Sequence, residues 1–411
     1  MRIKAKIIAD SKNIQGDRIT TFVLTFPRII LAEAKTHRIL SGLEEQVEVT
    51  QSLGLNDEIL FSRNSASSRA IPFEKMVKSV KENPFIPIAW QKDHKGMQGT
   101  EYITNEIAIK NLNNQWLRAR NEAIKSAESL NKGAYTVEVA KDENGNNTRE
   151  FTCIDIPDTS VTKQLCNRLL EHFMWHTVIL TATDFDNFFD LRCPKYFGKF
   201  KSWKDTCNQS SGDINASILD RLIWNEGQSE IHMMALAEAM YDEMNESVPK
   251  LLKAGEYHIP FEEKIKEQIK TQLYKVNTHL SPNGNYIVDY NEKDVLKISV
   301  AQAARVSYTT VGEDNKEFNY ENDIKLHDKL LQSGHWSPFE HCAKAMSEQE
   351  YHSFYKGGNL YFYDNFSGFS GSKLIGKTIE SSLEVDNKNS GYCNNFKGFI
   401  QYRYLIDNKD E

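Results

Sequence analysis

RIKAKIIADSKNIQGDRITTFVLTF (residues 2–26) contains two runs in which apolar and polar side chains alternate, at 2–9 and 18–26, hinged on Gly16-Asp17. A period of two belongs to a pleated strand with one face buried, and a glycine-bearing turn between two such runs predicts an antiparallel β-hairpin. A sheet started this way must be covered, and the chain that follows supplies the cover. Pro27 opens a helical stretch to about Ser41, and residues 105–131 read as a second helix. ENGNN at 143–147 predicts another hairpin. The apolar stretch 161–180 predicts a long buried helix, followed by an amphipathic segment at 183–192 with Phe185, Phe188 and Phe189 on its apolar side. Residues 229–246 space Met233, Leu236, Ala237, Met240 and Met244 as one helical face, a pattern of core packing. Two more helices are expected at 297–306 and 322–333.

The 411 residues suffice for two average domains or one large domain with insertions. Apolar residues at 40% and charged residues at 26% are an ordinary globular balance, and the net charge of −7 argues against broad nucleic-acid binding. Any anionic ligand must therefore be met by a local cluster of arginines. No apolar run approaches the roughly 20 residues that span a bilayer, and MRIKAKIIADSKN lacks a signal-peptide core. The cysteines at 153, 166, 193, 207, 342 and 393 are scattered without a CxxC, which suits a reducing compartment. A cytoplasmic location is the expectation, with no membrane and no nucleic acid as partner. The stretches 42–59 and 194–225 look like insertions, 247–290 is a charged connector, and no internal repeat is present.

Three stretches could carry chemistry. Thr36-His37-Arg38, followed after the acidic 42–59 stretch by Phe61-Ser62-Arg63-Asn64-Ser65-Ala66-Ser67-Ser68-Arg69, gathers hydroxyls, an amide and guanidiniums. Arginine forks grip phosphate oxygens in pairs and serine hydroxyls fill the remaining acceptors. Standing alone, the same residues would read as a polar turn with a helix-capping serine. DFDNFFDLR (184–192) ends an aromatic helix with Asn187 and Arg192. An arginine there is ordinarily a snorkelling, dipole-favoured residue, yet it could also aim a permanent cation into a dry pocket. GHWSPFEH (334–341) brings two histidines and a glutamate, and His172 and His176 stand four apart. Neither fits a familiar zinc spacing, and hydrogen-bonded structural histidines are the better reading of both.

Together these stretches resemble flavin-dependent thymidylate synthases. That family's hallmark is Arg-His-Arg-x-x-Ser-x-Asn-Glu-x-Ser-x-Arg. With the insertion excised, His37-Arg38, Ser62, Asn64, Ser67 and Arg69 fall on it in register, while Thr36 replaces the first arginine and Ser65 the glutamate. Asn187 to Arg192 resemble the family's Asn-Phe-Leu-x-Leu-Arg, and Gln228-Ser229-Glu230-Ile231 its Gln-x-Glu-Ile. Gln302 to Tyr308 resemble Gln-Ala-Ala-Arg-Val-Ser-Tyr, and 334–341 match Gly-His-x-x-Pro-Phe-Glu-His. In the usual order the last two blocks come first. Here they follow everything else, as in a circular permutation, which folds tolerate when their termini are close. Longer phage and bacterial members resemble this chain further, through SSRAIP, GMQ and the tail segment NFKGFIQYR.

The resemblance implies an α+β fold with a mixed or antiparallel sheet packed by long helices. Residues 1–255 would form its first part, with insertions near 42–59, 103–160 and 194–225. Residues 256–290 would connect to a permuted second part at 291–411. It implies reductive methylation of dUMP to dTMP, with methylenetetrahydrofolate as carbon donor and NADPH-reduced FAD as hydride source, in a homotetramer whose sites are shared between subunits. Arg192 would be catalytic and would hold the pyrimidine. Ser65, Ser67, Arg69 and Arg168 would hold its phosphate side, with Arg403 replacing the charge missing at Thr36. His37, Arg38, Asn187, Ser307, Ser337 and Glu340 would face the flavin, and no metal is expected. A same-fold enzyme acting on dCMP or hydroxymethylating dUMP, and a non-catalytic nucleotide-binding homologue, remain as alternatives.

Overall fold

The hairpin forms as the alternation predicts: β1 (Lys4–Lys12) pairs antiparallel with β2 (Arg18–Pro27). Gly16 in the turn has φ +97°, a conformation that a Cβ disfavours. A register shift between Ile7 and Ala9 marks a bulge in β1. The other edge of β2 pairs with β6 (Trp175–Ala182), which pairs in turn with β3 (Ser62–Ser65). A short β7 (Lys250–Leu251) runs parallel to β1, giving a mixed sheet of order β3-β6-β2-β1-β7. The protein is represented by a computed structural model that describes residues 3–36, 62–65, 68, 70–95, 99–141, 143–144, 147–210, 212–276, 291–306, 318–356, 359–360, 373–374, 377–378 and 396–407.

Residues 161–180 do not form the long helix that their apolar content predicts. They give a short helix (Lys163–Arg168), a 3-10 turn (Glu171–Phe173) and then β6, an interior strand of the sheet. The reason is burial on both faces, which erases the alternation that would have announced a strand and leaves WHTVILTA as a continuous apolar run. Val178, Leu180 and Ala182 pack with Phe22, Leu24, Phe188, Phe189, Met233 and Leu236. Ile179, one residue out of step, meets Ala303 and Val306. The sheet is thus covered on one face by the helices Asp186–Arg192 and Ile231–Glu246, and on the other by Glu292–Arg305. The core of the first face is dense in aromatic rings, and each fully buried side chain of that size contributes about 1.5–3 kcal/mol.

Elsewhere most boundaries agree with the sequence reading. After Pro27 come a 3-10 turn (Arg28–Ile30) and a helix (Leu31–Thr36); the expected remainder to Ser41 lies outside the described residues. The helix Glu106–Lys132 is capped by Asn105, whose side chain accepts from the Ala108 amide. It packs on the helix Phe73–Glu82. β4 (Tyr135–Lys141) and β5 (Asn147–Asp155) form the second hairpin. Residues 194–225 carry the helices Trp203–Gln209 and Ile218–Leu222 around Tyr196, Phe200 and Trp203. Within the expected connector stand β8 (Tyr257–His258) and the helix Glu262–Val276, whose Ile265 and Ile269 are fully buried. The expected helices at 297–306 and 322–333 run Glu292–Arg305 and Tyr320–Gln332. β8 pairs with β9 (Ala343–Ala345). Two small hairpins follow, β10 (Tyr355–Lys356) with β11 (Asn359–Leu360) and β12 (Lys373–Leu374) with β13 (Lys377–Thr378). β14 (Phe399–Gln401) then closes the second sheet against β9, ahead of a terminal helix Tyr402–Asp407. Mixed helix and sheet agree with the α+β expectation. Among the described residues no helix is long and apolar enough to cross a membrane.

Candidate functional site

The 3-10 turn Ser337–His341 is built by Pro338 near its start and by Phe339, fully buried against Leu296 and Val300. The turn lies against β3, so the SRNS segment and the SPFEH segment are neighbours although 272 positions separate Ser65 from Ser337 (337 − 65). Its last residue ends a buried line of side chains. His341 Nδ1 is 2.9 Å from Thr181 Oγ1, which shares a 2.7 Å hydrogen bond with Thr21 Oγ1. Thr21 Oγ1 is 2.8 Å from His258 Nε2, and His258 Nδ1 is 2.9 Å from Ser11 Oγ. Burial pushes His341 down to about 3 and His258 down to about 4, so both rings are neutral at ordinary pH. Each hydroxyl and each neutral ring brings one proton, so every link of the line forms without any charge. His341 Nε2 is buried with no hydrogen-bond partner among the described residues.

The terminal helix meets the same turn. Arg403 Nη1 lies 2.5 Å from Glu340 Oε1, and the guanidinium stands over the Trp336 ring at 5.7 Å from its centre. The tail segment and the GHWSPFEH segment are therefore brought together.

Across the sheet, Arg192 closes the helix Asp186–Arg192. Its Nη1 is 3.4 Å from Ser229 Oγ, and its Nε is buried without a partner among the described residues. Glu33 shares this neighbourhood. Burial and then Glu230 raise its carboxyl above the usual range, while Arg192 and His232 oppose the shift. Glu230 itself is committed to structure: its Oε2 accepts from the His232 and Met233 amides at the start of the helix Ile231–Glu246. The Ile88 amide donates to His232 Nε2 at 3.1 Å, so the ring proton sits on Nδ1 and points to Glu230 Oε1 at 2.5 Å. With both nitrogens taken, His232 has no lone pair free to act as a base. Tyr102 Oη, buried and unpartnered among the described residues, is pushed up to about 12 by burial and by Glu230.

A third cluster anchors the Ser68 end of the cradle sequence. Ser68 Oγ donates to Glu171 Oε1 at 2.5 Å, and Arg28 Nη2 is 3.6 Å from the same oxygen. Arg28 Nη1 contacts the His176 ring, 3.0 Å from Nε2. Asn167, fully buried, donates from Nδ2 to the carbonyls of Ser68 (2.7 Å) and Ile71 (3.0 Å).

Of the residues expected from sequence, Arg192 and Asn187 share one helix, with Asn187 half-buried. Ser337, Glu340 and Arg403 gather on the opposite face of the sheet. Arg168 is exposed at the end of its short helix. Ser65 is on edge strand β3, its backbone opposite Val178, and its side chain lies outside the described residues. His37, Arg38, Ser67, Arg69 and Ser307 also lie outside them. His176 is on β6 and His172 is exposed on the preceding turn, so they do not share a helix face; no metal-holding cluster occurs among the described residues. Sequence reasoning passed over Glu33, Arg28, Asn167, Glu171 and Tyr102. No motif flags them; they become visible through the contacts that the fold creates. A groove of about 630 Å³ between the helices Phe73–Glu82 and Glu106–Lys132 holds none of the expected site residues.

Fold and site together define a mixed α+β protein whose described candidate residues fall on both faces of one sheet, Arg192 on one and Ser337, Glu340 and Arg403 on the other. Residues 287–349 match the family model described as thymidylate synthase complementing protein, a flavin-dependent family. The matched segment contains Gln302–Tyr308 and the GHWSPFEH turn. No curated protein and no solved structure matches the chain.

Proposed function

We propose that the protein is a flavin-dependent thymidylate synthase that converts dUMP to dTMP with methylenetetrahydrofolate and NADPH. The observation that carries this reading is the family match at 287–349, on the turn that bears Ser337 and Glu340. Arg192 supports it from the other side of the sheet. A buried guanidinium nitrogen without a partner among the described residues is an arrangement that a bound anion or ring oxygen would complete.

The donor set suits a flavin and an anionic pyrimidine. Asn187, Ser337 and Glu340, with His37, Arg38 and Ser307, would hold FAD, which supplies the hydride when bound. Arg192 would stabilise negative charge developing on the uracil ring, since a fixed cation in a water-poor pocket needs little reorganisation during reaction. Ser65, Ser67, Arg69 and Arg168 would take the phosphate side. None of Cys166, Cys193 and Cys342 suits attack on the ring: all are buried, and burial raises each thiol above its ordinary value. The enzyme would work as a homotetramer inside the cell, each site drawing on several subunits.

Purified protein given FAD, dUMP and methylenetetrahydrofolate should oxidise NADPH in a dUMP-dependent way and form dTMP. Arg192→Ala should abolish dTMP formation while flavin stays bound. A colourless protein that ignores added FAD would defeat the reading. Thr36 and Ser65 depart from the family hallmark in the cradle, which favours a second reading in which dCMP is the substrate or a hydroxymethyl group the product. The same assay with dCMP, and mass analysis of the product, decides between them.

A further inference from the structure

We propose that Tyr102 is a substrate-binding residue whose hydroxyl meets a carbonyl oxygen of the pyrimidine ring beside Arg192. The inference rests on the reading of Arg192 as the residue that holds the uracil, and it adds an uncharged donor to that site. Ser229, Glu230 and Ile231, consecutive at the start of the helix Ile231–Glu246, tie the two side chains to one place. Arg192 Nη1 is 3.4 Å from Ser229 Oγ. The Glu230 carboxylate acts on the Tyr102 phenol through space. Tyr102 shares a core cluster with Ile231 and Met234. Its backbone is fixed by a short antiparallel bridge to Gln91, flanked by the Lys92 amide donating to the Glu101 carbonyl and the Ile103 amide to that of Trp90, at 2.9 and 2.8 Å. The ring is therefore held in place, only 8% exposed. Its hydroxyl is nonetheless buried without a partner among the described residues, and so is Arg192 Nε.

Two buried donors without partners at one helix start are costly, and a ligand bearing acceptor oxygens would relieve both. The tyrosine keeps its proton at ordinary pH, because burial first and Glu230 second push it up to about 12. Charge then decides which acceptor fits. Glu33 and Glu230 share the neighbourhood of Arg192, so a phosphate would meet like charge there, whereas a neutral carbonyl would not. Glu230 Oε2 also accepts from the His232 and Met233 amides, which leaves the helix start less to offer an anion. The base of the nucleotide suits this place better than its phosphate.

Equilibrium binding of dUMP and of deoxyuridine to the flavin-loaded protein tests the assignment. Tyr102→Phe removes one oxygen and keeps the packed ring, so its melting temperature should equal or exceed that of wild type. Both dUMP and deoxyuridine should bind about tenfold more weakly, the scale of one hydrogen bond, with flavin affinity unchanged. Binding of dUMP within twofold of wild type would overturn the proposal. So would a loss seen with dUMP and absent with deoxyuridine, which would put the hydroxyl on the phosphate. A variant that loses stability along with binding would mark the hydroxyl as structural and overturn the proposal as well. If Arg192→Ala weakens dUMP binding and Tyr102→Phe does not, the Tyr102 assignment alone falls. If the wild-type protein binds neither FAD nor dUMP, the functional reading falls and this inference with it.

Discussion

On one face of the central sheet, five side chains from Ser11 to His341 hydrogen-bond in a line without any charge; on the other, Arg192 stands among Glu33, Glu230 and His232. Every link of the neutral line is made, and only His341 Nε2 at its end is buried without a partner among the described residues. It joins β1, β2 and β6 to β8 and to the Ser337–His341 turn, which makes it a seam between the first and second parts of the chain. The charged cluster does not close, for Arg192 Nε and Tyr102 Oη stay buried and unpartnered among the described residues. A buried donor left without a partner costs roughly 1–3 kcal/mol, and a protein keeps such a cost where a ligand removes it. The proposed function places the substrate on the charged side of this contrast.

The largest expected effect lies on the charged side and concerns activity. Arg192→Ala should lower dTMP formation by at least about 10³-fold, the scale of one lost electrostatic contact to the transition state. Its unfolding free energy should change by less than about 1 kcal/mol, since the contact it gives up to protein is a long 3.4 Å bond to Ser229. Denaturant unfolding beside a dTMP assay checks both. A variant that unfolds several kcal/mol more easily would erase the distinction drawn above.

The seam should answer in the reverse sense. His341→Ala removes a buried ring and one of the two partners of Thr181 Oγ1, so a loss of about 2–4 kcal/mol is expected by denaturant unfolding. Acid should reveal the same groups. The folded pKa values of His258 and His341, about 4 and about 3, lie below that of an unfolded histidine near 6.5. Their contribution to stability is therefore complete above pH 6.5 and is lost as pH falls toward 4 and then 3. Each ring adds up to about 1.4 kcal/mol per pH unit to the slope in that window. Stability measured from pH 7 to 4.5 should show His341→Gln with a slope shallower by one proton, and parallel curves would mean that the ring is not the buried neutral group described.

How much of this was legible beforehand follows from what kind of information each part uses. The 2–26 hairpin is local and one-faced, so its alternation and its glycine turn announced it. β6 is buried on both faces, and Trp175–Ala182 could not be told from a buried helix without knowing that β2 and β3 flank it. Arg192, Ser337 and Glu340 stood out because they sit in dense motif blocks. Glu33, Asn167 and Glu171 are single residues in unremarked sequence whose roles come from contacts: Asn167 and Ser68 are 99 positions apart. Arg403 was singled out as a substitute for the charge missing at Thr36; the fold gives it Glu340 as partner.

Glu238 extends the comparison to the 194–225 stretch. Burial above all raises its carboxyl to about 7, and Oε1 accepts from the Trp203 amide at 2.6 Å. An acid whose folded pKa lies above its unfolded value contributes fully below pH 4.5 and loses that contribution as pH rises through 7. Glu238→Gln keeps the acceptor and removes the charge, so stability at pH 8 should rise by up to about 3 kcal/mol, the rise from 4.5 to about 7 taken at about 1.4 kcal/mol per pH unit, and be little changed at pH 4.5. A Gln variant that melts lower at pH 8 would show that the carboxylate is satisfied there after all.

The smallest effect belongs to the groove between the helices Phe73–Glu82 and Glu106–Lys132, which has neither a converging charge nor a closed network. Lys81 Nζ and Glu128 Oε1 pair across it at 2.8 Å, both about half exposed. Water screens such a pair and its side chains must be ordered to form it, so Lys81→Ala should cost less than about 1 kcal/mol. Nucleotide and flavin binding should stay at wild-type levels, because the groove shares no residue with the Arg192 cluster or with the seam. A tenfold loss of dUMP affinity in this variant would locate substrate in the groove, and the division between a neutral seam and an open charged site would no longer describe where the chemistry happens.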